Sequence, residues 1–130
     1  MTTQHDKING VASELSGAEL VWGETRTIQR LGGQRALIEK LVILFLRDAP
    51  EQMEQALNGI EQQNYDNSHI AMHSLKGTSA NFCTVRFESI CAELLDALKH
   101  RDWPQATIIH GELSIEYLSL EREFKKFLGH

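Results

Sequence analysis

The chain predicts an all-α protein, an antiparallel four-helix bundle with one or two short additional helices at its N-terminal end. Two observations carry that prediction. Apolar residues recur at helical spacing in one stretch after another. No stretch shows the apolar–polar alternation of a strand, and no Gly-rich phosphate loop or low-complexity linker interrupts the pattern.

Taken in order, residues 1–16 hold few organised apolar positions and are expected to form a flexible tail, leaving residues 17–130 as the helical domain. Ser16 followed by Glu19 is a capping-box pattern, and Leu20, Val21 and Trp22 offer an apolar face to the bundle. A second short segment, Thr25 to Arg30, stops at Leu31-Gly32-Gly33. From Gln34 to Ala49 a strong helix is expected, with Leu37, Leu41, Leu44 and Phe45 as its inward stripe and Ile38 at the margin. Val42, Ile43 and Leu46 widen that apolar surface, to be covered by another helix or left as a patch for a partner.

Pro50 is expected to kink this helix or start a new one, in which Met53, Leu57 and Ile60 continue the spacing. Gln62-Gln63-Asn64 marks its end, and Asp66, Asn67 or Ser68 can cap the next helix, which runs to about Phe82. Val85 to Lys99 places Phe87, Ile90, Cys91, Leu94, Leu95 and Leu98 on one face. Asp102 and Pro104 suit the start of a last helix carrying Ala106, Ile109, Leu113, Tyr117, Leu120, Phe124 and Phe127.

Composition narrows the function. Apolar residues at 42% and charged residues at 24% are ordinary for one globular domain. A net charge of −5 argues against nucleic acid as a partner. The longest apolar run, Leu41 to Leu46, is far too short to span a bilayer, and Met1 to Lys7 lacks the apolar core of a signal peptide. No direct membrane contact is expected, and a monomer is. Two cysteines, Cys83 and Cys91, make no disulfide framework; both read as reduced and the protein as cytoplasmic.

The chemistry concentrates between Ile70 and Phe82. Met72, Leu75, Ser79 and Phe82 form an inward stripe, which turns His73 roughly 150° away from its centre and outward. Lys76 and Gly77 are its i+3 and i+4 neighbours. A neutral imidazole is a nucleophile at physiological pH, an ammonium one turn away can balance a phosphoryl charge of about −2, and a glycine lets a bulky partner approach. Ile70, Gly77, Ala80 and Asn81 flank His73 and make a weakly apolar patch suited to transient contact. On spacing alone, an ordinary solvated histidine fits the same pattern.

Other histidines compete less well. His69 and His73, four apart, have a spacing that can chelate zinc, but Ile70 stands where metalloprotease helices carry Glu. Cys83 or His110 could complete such a site, yet nothing in the sequence requires it, and no metal is expected. His69 reads as a surface residue near His73 that could tune local charge, while His5, His100, His110 and His130 read as surface or terminal. Cys91 belongs to an apolar stripe.

His73-Ser74-Leu75-Lys76-Gly77-Thr78-Ser79-Ala80-Asn81 resembles the signature of histidine-containing phosphotransfer (HPt) domains of multistep two-component phosphorelays. Leu31-Gly32-Gly33 before an apolar helix, Asp66 seven residues ahead of the histidine, and Leu94-Leu95 ahead of Arg101-Asp102-Trp103 are similar to the family pattern as well. The likeness spans roughly residues 25 to 127. Two positions depart from it: Cys83 stands where a glycine usually ends the helix, and Met72 where a small residue is usual.

The resemblance implies a phosphorelay carrier whose His73 takes a phosphoryl group from a receiver-domain aspartate and passes it to another. Lys76 would balance charge, and His69, Ile70, Gly77, Ala80 and Asn81 would lie at the docking face. The expected partners are receiver domains of response regulators or of hybrid sensor kinases. They would supply the Mg²⁺, so no cofactor of the chain's own is expected, and no nucleotide-binding segment for kinase activity is present. The alternative is a helical interaction module that binds a receiver or another partner without being phosphorylated.

Overall fold

The computed structural model describes residues 15–129. The expected N-terminal tail up to residue 14, and with it His5, lies outside them, as does His130. Among the described residues six helices follow one another: α1 (Gly17–Val21), α2 (Glu24–Arg30), α3 (Arg35–Glu61), α4 (Tyr65–Ala80), α5 (Val85–Lys99) and α6 (Trp103–Leu128). No strand occurs among the described residues.

The four long helices make the bundle. Connections of three or four residues make each helix pack antiparallel on the next in sequence. Gln55 reaches Asn67 and Gln52 reaches Ser74 across α3 and α4. Arg35 donates to the Phe127 carbonyl, and His110 bonds the Met53 carbonyl, across α3 and α6. Both pairs of contacts run in opposite chain directions, which closes an antiparallel ring.

The core is aromatic at the end where α1 joins it. Phe45 packs edge-on against Phe82 at 5.7 Å, Phe87 at 6.1 Å and Phe124 at 5.6 Å between ring centroids. Trp22 caps the cluster, edge-on to Phe124 and Phe127 at 5.0 and 5.2 Å. Ser16 does cap α1, accepting from the Glu19 amide at 3.2 Å. The Gly23 amide then donates to the carbonyls of Phe82 and Cys83, fastening the N-terminal segment to the turn after α4.

α3 resolves one open expectation and departs from another: no new helix starts at Pro50, and the inward stripe is not the expected one. It is one helix of 27 residues that runs through Pro50 without ending. Pro50 is exposed, so the helical bond its ring removes is lost on the solvent side, while Phe45, Ala49 and Met53 hold both halves to the core. Its inward stripe is also rotated. Ile38, Val42, Phe45, Ala49, Met53, Ala56 and Ile60 are buried, whereas Leu37 and Leu44 are 39% and 42% exposed. Apolar residues nearly encircle this segment, so the wheel alone did not single out one face, and contacts with three other helices chose it.

The turns explain the displaced helix boundaries. Gln63, Cys83 and Arg101, one in each connection of the bundle, have φ of 53°, 51° and 57°. At the ends of α3 and α5 they sit in Schellman turns: Asn64 bonds the Gly59 carbonyl and Gln63 that of Ile60, while Asp102 bonds Ala97 and Arg101 bonds Leu98. Glycine is the usual sign of that turn and is missing here. Asn64, not Asp66, Asn67 or Ser68, caps α4, accepting from the Asn67 amide at 3.1 Å. α4 itself ends at Ala80, two residues before Phe82.

α5 spans the expected residues, and every apolar position assigned to the inner face of α6 is buried. Asp102 caps α6 by accepting from the Gln105 amide. No helix among the described residues is long and apolar enough to cross a membrane.

Candidate functional site

α4 buries Ser68, Ala71, Met72, Leu75 and Ser79. Met72 is fully enclosed, so a large side chain fills the space behind His73. Ser68 and Ser79 are accommodated because each returns its hydroxyl to its own helix, Ser68 to the carbonyls of Asn64 and Tyr65, Ser79 to that of Lys76. With that face locked inward, His73 emerges on the opposite side and is exposed.

Ile70 and Gly77 share the open face with His73, Ile70 being 62% exposed. At Gly77 an added Cβ would meet no atom of the described residues within 4 Å. Ala80 and Asn81 are half-buried toward the end of α4, Asn81 as its C-cap. The Ala80 carbonyl accepts from Arg30 of α2 at 3.2 Å. On the α3 side Gln52 donates to the Ser74 hydroxyl at 3.1 Å.

Lys76 turns toward α5. It is half-buried along a groove of about 310 Å³ that also runs past Tyr65, His69, Leu95, Asp96 and Lys99. Its charge reaches Glu88, whose carboxyl burial pushes above the ordinary range; a hydrogen bond from Thr84 and the cations Lys76 and Arg30 pull it back. Lys76 therefore lies on the α5 side of α4, within electrostatic reach of Glu88.

His69 lies against His73, the rings stacked with centroids 5.8 Å apart and planes 16° apart. On its other side His69 stacks on Tyr65 at 5.1 Å, and the Tyr65 hydroxyl is 3.2 Å from His69 Nδ1. The Arg101 guanidinium covers the Tyr65 ring at 3.7 Å. Tyr65, Arg101, Gln52 and Arg30 were not singled out from the sequence. Two left a trace there: Tyr65, His69 and His73 recur every fourth residue, and Arg101 begins the Arg101-Asp102-Trp103 stretch that is similar to the family pattern.

The side chains considered as extra zinc ligands are not brought to this face. Cys83 lies in the turn beyond α4 beside Gly23. His110, expected at the surface, is buried and bonds the Met53 carbonyl through Nε2 at 2.8 Å. Among the described residues no three His, Cys, Asp or Glu side chains gather as a metal site. The apolar patch expected from α3 is reduced too. Val42 is fully buried, Leu46 packs half-buried on the core, and Ile43, though exposed, lies about half a turn around α3 from Gln52 and so away from α4.

Comparison with known proteins agrees with this arrangement. The model of the Hpt domain matches residues 40–121. A histidine-containing phosphotransfer protein from maize, ZmHP2, is similar in fold, with a TM-score of 0.75 and 19% identity over 98% of this chain and 96% of that one. A rice protein assigned to the histidine-containing phosphotransfer proteins is similar with a TM-score of 0.76 and 20% identity, over 96% of this chain and 91% of that one. No curated protein matches the chain. Hpt domains are phosphotransfer carriers that work with receiver domains of two-component systems. With the family model covering α3 through most of α6, and the histidine helix at the centre of that match, the chain belongs to the Hpt domain family.

Proposed function

We propose that His73 accepts a phosphoryl group from an aspartyl phosphate of one receiver domain and returns it to an aspartate of another. The Nε2 lone pair attacks phosphorus, the P–O bond to the aspartate breaks, and the carboxylate leaves with the bonding pair. His73 keeps its proton on Nδ1 and carries the group as phosphohistidine; the second transfer reverses the step. The receiver supplies Mg²⁺ and most of the groups around phosphorus, so this chain contributes a positioned nucleophile, a nearby cation in Lys76 and a surface to dock on.

One observation carries the reading: an exposed imidazole in the middle of a packed helix sits one turn from a glycine that no described residue crowds. Glycine costs about 1 kcal/mol in a helix relative to alanine. Its neighbours leave a Cβ ample room, so the gain from omitting one lies in the approach of another molecule. All of these residues belong to one helix of one chain, which suits action as a monomer. The free thiols of Cys83 and Cys91 suit a cytoplasmic setting.

Incubation with a phosphorylated receiver tests the proposal. Wild-type protein is expected to take the label and His73→Gln to take none while keeping its helical content. Equal labelling of His73→Gln would remove the site assignment, and affinity without label in the wild type would identify a binding module instead.

A further inference from the structure

The stack of side chains on α4 has one fixed end and one free end. Arg101 is the fixed end. Its backbone is locked in the left-handed turn at φ 57°, and its Nη1 donates to the carbonyls of Leu98 and Lys99 at 3.4 and 3.0 Å. The guanidinium covers Tyr65, which is itself half-buried against the core. Tyr65 holds His69 twice, by ring contact and by the hydroxyl–Nδ1 hydrogen bond. His69 is half-buried, and the free end of the series is the exposed ring of His73.

An exposed histidine on a helix ordinarily exchanges among several rotamers. A ring lying nearly parallel to a neighbour that is itself anchored loses part of that freedom. We propose that His69 is a positioning residue for His73: anchored by Tyr65 and Arg101, it holds the His73 ring in one orientation before a receiver arrives. This rests on the reading of His73 as phosphoryl acceptor. His69 needs to touch neither phosphorus nor the receiver aspartate, because its contribution is made to the free protein. Ordering the nucleophile in advance leaves less to be ordered during transfer.

Single-turnover transfer from a phosphorylated receiver, read as a function of receiver concentration, tests this in the full chain. His69→Ala is expected to lower the rate at saturating receiver roughly three- to tenfold and to leave the half-saturating concentration unchanged. His69→Phe keeps a flat ring and is expected to restore the rate to within about twofold. In the unphosphorylated protein, the ring-proton resonances of His73 should shift in His69→Ala as the neighbouring ring current is lost, and return toward the wild-type positions in His69→Phe.

Unchanged transfer by His69→Ala, with label still on His73, would overturn the inference. So would a change confined to the half-saturating concentration, which would make His69 a docking contact. Failure of the wild-type protein to take label overturns the acceptor reading itself, so the two failures are told apart by the wild-type lane.

Discussion

Gly59 of α3 and Ser68 of α4 meet backbone to backbone: a Cβ built on Gly59 would stand 2.6 Å from the Ser68 amide nitrogen and 2.8 Å from its Cβ. The contact lies beside the Schellman turn between the two helices, where the Gly59 carbonyl accepts from Asn64 at 2.7 Å. It sets how closely α4, the helix that bears His73, approaches its neighbour. Gly59→Ala is expected to destabilise the protein by about 2–3 kcal/mol, because the clash is with backbone and not with a flexible tip. Urea denaturation measures it, and a wild-type midpoint would show that the helices can part at little cost.

Gly77 should behave in the opposite way. With no atom of the described residues within 4 Å of a Cβ there, Gly77→Ala is expected to stabilise the chain by up to about 1 kcal/mol. Gly77→Leu should fold as well as wild type yet raise the receiver concentration needed for half-maximal transfer. Unchanged transfer by Gly77→Leu would count against this position as part of the docking face.

At Cys83 the family's usual glycine is replaced in a turn that adopts φ 51°. That conformation crowds a Cβ against the following carbonyl, at a cost of about 1–2 kcal/mol, part of which glycine returns through the entropy of the unfolded chain. Cys83→Gly is expected to gain about 0.5–1 kcal/mol in thermal or urea unfolding. A loss would mean that the half-buried thiol contributes packing beside Gly23 that outweighs the strain.

Glu116 predicts a pH effect far from the site. Its side chain is buried in α6, Oε2 finds no hydrogen-bond partner among the described residues, and burial raises its pKa, with Arg86 pulling the other way. Between the unfolded value and this raised one, the folded state therefore binds more proton than the unfolded chain. Stability contributed by this group is full below the ordinary glutamate value of about 4.3 and is lost as pH rises through the higher folded value. Glu116→Met should then be more stable than wild type at pH 7, by about 1 kcal/mol, with the advantage shrinking toward pH 4. A difference independent of pH would show that the carboxyl is not responsible.

The all-α class, the extents of α5 and α6 and the outward direction of His73 followed from periodicity, because a repeat of about 3.6 residues specifies both a helix and its buried side. α6 is the clearest case, with every assigned residue in the core even though Ile108, Ile115 and Leu118 stand exposed elsewhere on the helix. α3 shows where that reasoning ends. Leucines and isoleucines surround it, so the side facing inward was settled by Phe82 from the turn after α4, Phe87 from α5 and Phe124 from α6.

By itself, then, the sequence determined that this protein is a helical bundle and which histidine it presents beside a lysine and a glycine. The tertiary structure alone decided that α3 continues through Pro50, that Gln63 and Arg101 make turns without glycine, and that His110 is enclosed against Met53. It also decided that Arg101, from the end of α5, anchors the rings leading to His73. The physical reason is common to all four. Periodicity is a property of each segment separately, whereas these outcomes depend on atoms brought together from separate turns and helices, and that proximity exists only once the chain has packed.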